Sequence, residues 1–201
     1  MENLLLVSSS VKASEYFTAF FRAAGYSRIT PVESGSEARR QLGRMEYTLV
    51  LVNTPLSDEF GSELAAAAAQ GNRGVLLVVK GEIADDVSAK VEDSGVFVIP
   101  KPVNRAFLHQ ALKLVLAARN RFLGLREENV RLQSKIEEIR LVDRAKCVLI
   151  ERCALSEPEA HRYIEKLAMD RRTTRRIIAE EVLANRLPEQ DEGFCSISQK
   201  Q

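Results

Sequence analysis

One stretch of fifty residues, 104–153, constrains the fold of this chain most strongly, because it contains no proline and a single glycine, Gly124. Proline breaks helices and glycine weakens them, so the stretch predicts one uninterrupted helix. Within it, a repeat with alternating steps of three and four residues has the heptad spacing of a coiled-coil seam. The positions on this repeat are Val115, Ala118, Phe122, Leu125, Asn129, Leu132, Ile136 and Ile139. We therefore predict a dimerisation helix over residues 115–140.

Asn129 occupies an a position of this heptad repeat, among apolar neighbours. An asparagine in a seam costs stability, but it is satisfied by the same asparagine across a parallel, in-register pair of helices. The repeat therefore favours a parallel homodimer. The flanking e and g positions oppose it, since Arg121 of one copy would face Arg126 of the other. Exposed pairs of this kind cost only about tenths of a kcal/mol each, less than the apolar seam contributes.

The first 118 residues alternate short apolar runs with amphipathic segments. The runs cover residues 4–7, 28–32, 48–52, 75–79 and 96–99. Those at 49–52 and 75–79 are apolar on both faces, as parallel strands covered by helices on each side should be. The alternation predicts an α/β domain with a flavodoxin-like sheet of five parallel strands.

The chain after the long helix predicts two further short helices. Ser156-Glu157-Pro158-Glu159 has the sequence of a capping box, and Thr173 or Thr174 can cap a later helix. With the end of the long helix these form an all-α three-helix bundle over residues 140–186. Residues 187–201 are polar, and we predict that they are disordered.

Composition excludes several classes of protein. No apolar run reaches the ~18 residues of a membrane span, and the first ten residues lack the features of a signal peptide, so we expect a cytoplasmic protein without membrane contact. The three cysteines, Cys147, Cys153 and Cys195, and the two histidines show no metal-ligand spacing, so we expect reduced thiols and no metal. No constellation suits catalysis, and we expect neither enzymatic activity nor a cofactor.

The first domain resembles the receiver domain of bacterial two-component response regulators over residues 1–118. The resemblance rests on the strand ending at Val7, on Asn53-Thr54-Pro55-Leu56 after the third strand, and on Pro100-Lys101-Pro102 after the fifth. Receivers carry an acidic pair that holds Mg²⁺, a phosphate-accepting Asp, a Ser or Thr, and a Lys at the ends of four strands. The matching positions here are Ser8, Ser9, Asn53, Val79 and Lys101.

Only the lysine of that set is retained. Phosphoryl transfer needs a carboxylate nucleophile and a metal ion, and the hydroxyl and amide groups of Ser8, Ser9 and Asn53 supply neither. The sequence therefore predicts a pseudo-receiver that answers to a partner protein or a small ligand instead of phosphate. Lys101 also has a structural interpretation, in which it pairs with the carbonyls near Asn53.

Three motifs in the C-terminal part carry a second resemblance. They cover residues 142–150, which include Asp143-Arg144-Ala145-Lys146, residues 155–164 around the capping box, and residues 167–172. Their order and spacing resemble the ANTAR domain, the RNA-binding module of the AmiR and NasR antiterminators. Two departures are Cys147 in place of the usual glycine and His161 where an aromatic residue is common.

This resemblance implies that the chain binds a leader RNA with two hairpins as a dimer and so prevents formation of a terminator. Arginine and lysine hold phosphates, and ring side chains stack on the bases that hairpin loops expose. The candidate RNA-binding residues are Arg144, Lys146, His161, Tyr163, Arg171, Arg172, Arg175 and Arg176. Tyr163 also fits the core, and residues 171–176 also fit a solvated helix end. The charge balance over 140–186, 11 basic against 8 acidic residues, is a weak signal.

Two other functions stay open on the sequence alone. The chain is alternatively a regulator that acts by binding proteins, or a response regulator that binds DNA. Binding to paired-hairpin RNA and to the matching duplex DNA separates RNA from DNA recognition, and a search for partner proteins tests the remaining possibility.

Overall fold

A computed structural model describes residues 3–184 of the chain. The predicted disordered tail, residues 187–201, lies outside the described residues. The chain divides into two compact units, with the boundary after Leu125.

The first unit contains a five-stranded parallel sheet. The strands are β1 (Asn3–Ser8), β2 (Arg28–Val32), β3 (Leu49–Asn53), β4 (Gly74–Lys80) and β5 (Val96–Lys101). Their order across the sheet is β2-β1-β3-β4-β5, the order of flavodoxin-like folds. The predicted doubly wound α/β domain is confirmed. The register places Ser8 of β1 beside Asn53 of β3, so the ends of these strands meet at one edge of the sheet.

Helices cover both faces of this sheet. They are α1 (Val11–Ala23), α2 (Gly35–Arg44), α3 (Ser62–Ala69), α4 (Ala84–Val91) and the start of α5 (Arg105–Cys153), with short 3-10 turns at Gly81–Ile83 and Glu92–Ser94. Because side chains alternate along a strand, each face has its own core. Val50, Val52 and Leu77 pack under α2, α3 and α4, whereas Leu49, Leu51 and Leu76 pack under α1 and α5.

The predicted long helix is confirmed as α5, which has 49 residues. Val115, which the heptad repeat assigns to the seam, is instead 8% exposed and packs in the core under α1 and α5. The prediction that Val115 belongs to the dimerisation seam is therefore wrong, because this side chain already fills the first unit. The later apolar positions are 50–60% exposed; they are Phe122, Leu125, Leu132, Ile136 and Ile139.

The second unit is built from the end of α5, α6 (Glu157–Asp170) and α7 (Arg175–Leu183). One apolar core joins the three helices, with Ala145 from α5, Ile164 from α6 and Ile178 from α7 fully buried. The helices α6 and α7 start at the predicted cap residues. The Glu159 carboxylate accepts hydrogen bonds from Ser156 N (2.8 Å) and Oγ (2.6 Å), and Thr174 Oγ1 accepts one from Ile177 N (3.4 Å).

The cysteines correct one expectation. Cys147 is exposed and free, but Cys153 is buried in the core of the second unit and is disulfide-bonded. The interpretation of all three as reduced thiols is therefore wrong for Cys153. Cys195 lies outside the described residues.

Within residues 3–184, no helix combines the length and the apolar character that crossing a membrane requires.

Candidate functional sites

The edge of the sheet where β1 and β3 end holds the first candidate site. Asn53 and Ser8 are both buried there, and Asn53 Nδ2 donates a hydrogen bond of 2.9 Å to Ser8 Oγ. Ser8 Oγ in turn donates to the carbonyl oxygen of Ser10, at 3.3 Å. Ser9 is exposed, and its Oγ donates to the carbonyl oxygen of Pro55 at 2.8 Å. The hydroxyl groups are thus engaged with neighbouring protein groups.

Lys101 closes the same edge from the end of β5. Its Nζ donates a hydrogen bond of 2.6 Å to the carbonyl oxygen of Thr54, directly after Asn53. Burial lowers the pKa of Lys101 below its ordinary value, and the nearby Lys80 charge lowers it further. This is the contact expected of a structural lysine. Val79, by contrast, is buried in the core under α2, α3 and α4, so the structure does not bring it into this polar group.

The polar group does not fit Mg²⁺, the ion that receivers hold. Magnesium prefers carboxylate oxygens and water, whereas Ser8, Ser9 and Asn53 offer neutral oxygens. Among residues 3–184 no three His, Cys, Asp or Glu side chains are grouped to hold a metal ion. A cleft of about 490 Å³ lies beside Asn53 and Lys101, and Lys12, Tyr16 and Phe17 also line it.

A polar clamp on the loop that follows β3 is not predicted by the sequence. Asp58 accepts hydrogen bonds from Gly35 N (2.7 Å), Ser36 N (2.9 Å) and Ser36 Oγ (2.8 Å), at the start of α2. These bonds, first among them that from Ser36 N, lower the pKa of Asp58 to about 2. Arg39 and Glu59 add a two-pronged ion pair, at 2.7 and 2.9 Å. No local motif could reveal the clamp, because its partners lie 20 or more residues apart.

The second candidate site is a groove between α5 and α7 in the second unit. Arg140 and Arg144 line it from α5, and Arg176 lines it from α7. Within residues 3–184 neither Arg140 nor Arg144 makes an ion pair, and both are exposed. Arg140 is not among the RNA-binding residues predicted from the sequence. Its position one helical turn before Arg144 was the signal that places both on one side of α5.

Two acidic residues, Glu137 and Asp143, also line the groove, and Leu141 completes its lining. The Asp143 carboxylate is neutralised, because Lys146 Nζ lies 2.8 Å from its Oδ1. Arg176 is likewise paired with Glu180, at 3.1 Å, so Arg140 and Arg144 are opposed by Glu137 and the groove keeps a basic balance.

Lys146 holds two acids at once. Its Nζ is also 2.8 Å from Glu157 Oε1 in the first turn of α6, and its side chain is only 15% exposed. Hydrogen bonds to Asp143 and then Glu157 raise the pKa of Lys146, and the same contact lowers the pKa of Glu157. Lys146 thus links α5 to the start of α6.

The remaining candidates are dispersed over the second unit. His161 and Arg175 both approach Glu165 Oε1 at 3.4 Å, so α6 and the start of α7 share one acid. Tyr163 is half-buried against the core of the second unit. Arg176, besides lining the groove, lies 3.1 Å from Glu180.

Arg171 and Arg172 lie in the turn between α6 and α7. Arg171 pairs with Glu181 at 2.8 Å, which ties this turn to α7. Arg172 is exposed and has a backbone φ of 49°. The structure brings Arg144 and Arg176 together in the groove, but it does not collect all the predicted residues into one surface.

Comparison with protein families and curated proteins gives a consistent picture. The ANTAR domain family matches residues 130–183. The transcriptional regulatory protein PdtaR of Mycobacterium tuberculosis is 28% identical over 163 residues, which cover 81% of this chain and 80% of that protein. The aliphatic amidase regulator of Pseudomonas aeruginosa is 31% identical over 128 residues, covering 61% of this chain and 64% of that protein.

Solved structures with a similar fold match the first unit. A signal receiver domain of an HD domain-containing protein from Pseudomonas fluorescens Pf-5 superposes with a TM-score of 0.54 and 20% identity, over 61% of this chain and 92% of that one. A CheY-like receiver domain from Methanospirillum hungatei JF-1 gives a TM-score of 0.54 and 20% identity, over 60% and 98%. These similarities concern the fold of a receiver domain.

Proposed function

We propose that this chain, which belongs to the response regulators that carry an ANTAR domain, is an RNA-binding antiterminator of transcription. It would recognise paired hairpins in leader RNA. The observation that carries the proposal is the arginine groove, formed by Arg140, Arg144 and Arg176 within the ANTAR-matched residues. Guanidinium groups bind phosphate oxygens with two donors at once, which suits an RNA backbone.

Base recognition needs a second kind of contact. Hairpin loops expose unstacked bases, which proteins hold against ring side chains. His161 and Tyr163 are both part-buried on α6, but Tyr163 packs against the core of the second unit. We assign base stacking to His161, with Tyr163 supporting α6 from the core.

The seam on α5 supplies the proposed dimer. Phe122, Leu125, Leu132, Ile136 and Ile139 are each at least half exposed, at heptad spacing. A helix with this stripe buries it by packing against a second copy of the same stripe. Asn129 is exposed in the middle of the stripe, where the equivalent asparagine of a parallel partner can satisfy it. The parallel homodimer would bring two ANTAR domains together, one for each hairpin.

Asn129→Ile tests this arrangement. Removing the polar seam residue should raise the midpoint of thermal unfolding and allow higher oligomers, because register and strand number are no longer fixed. Light scattering on the full chain measures the oligomeric state. Loss of the dimer in this variant would contradict the proposed register.

The first unit is proposed to act as a pseudo-receiver. Ser8, Ser9 and Asn53 stand where receivers hold carboxylates, and the two hydroxyl groups and the amide nitrogen of Asn53 are engaged with one another or with backbone carbonyls. Its signal is then a partner protein or a small ligand instead of phosphate. The cleft beside Asn53, with the cations Lys12 and Lys101 and the rings of Tyr16 and Phe17, is the candidate site for such a ligand.

A gel-shift experiment tests the proposed function. The probes are a pool of two-hairpin RNAs with randomised loops and duplex DNA of matching sequence. We expect the full chain to retain a subset of the RNAs and to leave the duplex unbound. Arg144→Ala and Arg176→Ala should weaken RNA binding, each by roughly tenfold, as for a lost charge-assisted contact. Arg22→Ala, at an exposed position in the first unit, is the matched control. Equal binding of RNA and duplex DNA would contradict loop recognition.

A further inference from the structure

We infer that the RNA site crosses the dimer seam: Lys135 of one copy joins Arg140 of the other to hold a phosphate, so RNA binding and dimerisation strengthen each other. This inference rests on the proposed function and goes beyond it, because it adds Lys135 of the second copy to the arginine groove and couples RNA binding at this joint site to dimerisation. Two residues, neither of them at an apolar seam position, carry it.

The heptad register places both residues at the edge of the seam. With Asn129 and Ile136 at a positions, Lys135 is at g and Arg140 at e. In a parallel coiled coil, the g residue of one helix faces the e residue five positions later in its partner. Lys135 therefore faces Arg140 of the second copy, once on each side of the seam. Both are exposed, and within residues 3–184 neither makes an ion pair.

Cations that face each other are unusual at the e and g positions of a coiled coil, which normally pair opposite charges. In the absence of an anion the two pairs repel and weaken the dimer. An anion placed between them reverses the effect. A polyanion of regular phosphate spacing suits the edge better than a single small anion, because the same face continues into further cations.

Arg140 provides that continuity. It lines the groove with Arg144 and Arg176. In the dimer, Lys135 of the second copy would extend this row by one cation across the seam. Asp143, an acid on the same groove, is occupied by Lys146 at 2.8 Å, so Glu137 is the acid that still opposes the row. The same RNA strand could then follow the groove of one copy and reach the helix of the other.

Thermodynamic linkage follows from this shared site. If RNA binds the dimer more tightly than the monomer, then RNA must favour dimerisation by the same factor. The facing cations make this coupling larger, because RNA relieves a repulsion that only the dimer has. Free protein would be a weak dimer, and RNA would consolidate it.

Lys135→Glu in the full chain tests the inference through two opposite effects. Without RNA, the carboxylate introduced in each copy would face Arg140 of the partner, so sedimentation equilibrium should show a several-fold tighter dimer. Binding to the two-hairpin RNA pool should nevertheless weaken by roughly tenfold, and the slope of log affinity against log salt should fall by roughly 1.5 for two lost phosphate contacts per dimer. A misfolded variant would not dimerise more tightly.

Arg131→Glu is the matched control, because Arg131 lies on the same helix, is exposed and occupies heptad position c, away from the seam. It makes the same charge change and should alter neither dimerisation nor the salt slope by a comparable amount. Equal effects of Lys135→Glu and Arg131→Glu on RNA affinity would overturn the joint site. A dimer that Lys135→Glu does not tighten would overturn the facing pair. Failure of the unmodified chain to bind any hairpin RNA would instead overturn the proposed function.

Discussion

Asn53 and Ser8 face each other across the ends of β3 and β1, and Asn53 Nδ2 donates a hydrogen bond of 2.9 Å to Ser8 Oγ. Two neutral side chains are thus hydrogen-bonded to each other at a buried edge where a phosphorylated receiver would place negative charge. Asn53 Oδ1 is also buried and accepts no hydrogen bond from the described residues. The pair joins the ends of the two strands.

We therefore expect no phosphoryl group to be transferred to the first unit. Incubation with acetyl phosphate and Mg²⁺ should leave the mass of the chain unchanged, because an amide nitrogen is not a nucleophile at neutral pH. Intact-protein mass spectrometry measures this directly. An acid-labile adduct of phosphate mass on residues 3–118 would contradict the pseudo-receiver.

Gly74→Ala should destabilise the first unit by about 1–3 kcal/mol, the usual cost of overpacking a core. A Cβ at this position would lie 2.5 Å from Val115 Cγ1 and 3.3 Å from Leu49 Cδ1. Urea unfolding followed by circular dichroism gives the change in free energy. Gly43→Ala is the control, because a Cβ there meets nothing within 4 Å, and α2 should gain about 0.5–1 kcal/mol. An unchanged free energy of unfolding in Gly74→Ala would mean that Val115 is free to leave the core.

Asp58 should make the first unit sensitive to acid. Its folded-state pKa of about 2 lies below the ordinary 3.8, so its contribution to stability is complete above about pH 4 and is lost as the pH falls toward 2. Asp58→Asn removes this titration. We expect the stability difference between wild type and Asp58→Asn to be largest near neutral pH and to shrink between pH 4 and pH 2, measured by urea midpoints. Asp93→Asn, at an exposed carboxyl group of the same unit, is the control. A stability difference between wild type and Asp58→Asn that does not change with pH would rule out the clamp.

Lys146 offers a test of folding against RNA contact. Lys146→Ala breaks the link to Asp143 and Glu157, so the second unit should lose about 1 kcal/mol or less of stability, as for a partly exposed ion pair. We also expect several-fold weaker RNA binding and a lower salt dependence. Glu157→Gln breaks the ion pair between α5 and α6 but keeps the cation and its contact with Asp143, so RNA affinity should not fall. If both variants weaken RNA binding equally, Lys146 acts only by positioning α6.

Local signals in the sequence were enough for the elements of the fold. Strands with apolar faces, the proline-free helix and the cap residues Ser156 and Thr174 act over a few residues, so their patterns are readable without tertiary information. Val115 shows where such patterns stop. A spacing of three and four residues is compatible with a side chain in a coiled-coil seam and with one packed against a sheet. Val115 packs against the sheet because it lies next to Gly74 and Leu49, which are distant in the sequence.

The candidate sites were less predictable for the same reason. The ion pair of Lys146 with Asp143, three residues earlier on α5, is a local signal, but its link to Glu157 is not, because Glu157 belongs to another helix, 11 residues later. The arginine groove likewise depends on how α7 packs, since Arg176 meets Arg140 and Arg144 only through the core around Ile178. Residue types indicated the chemistry of the interface, whereas the packing of three helices selects the side chains that share it.

Transcription through a leader gives the most direct test of the proposed function. The template carries a hairpin pair selected by the chain in the gel shift, with the second hairpin overlapping an intrinsic terminator, and single-round transcription measures the fraction of full-length RNA. We predict that the wild-type chain raises this fraction and that the variant with both Arg144→Ala and Arg176→Ala does not. Unchanged termination at protein concentrations that saturate the RNA would contradict antitermination.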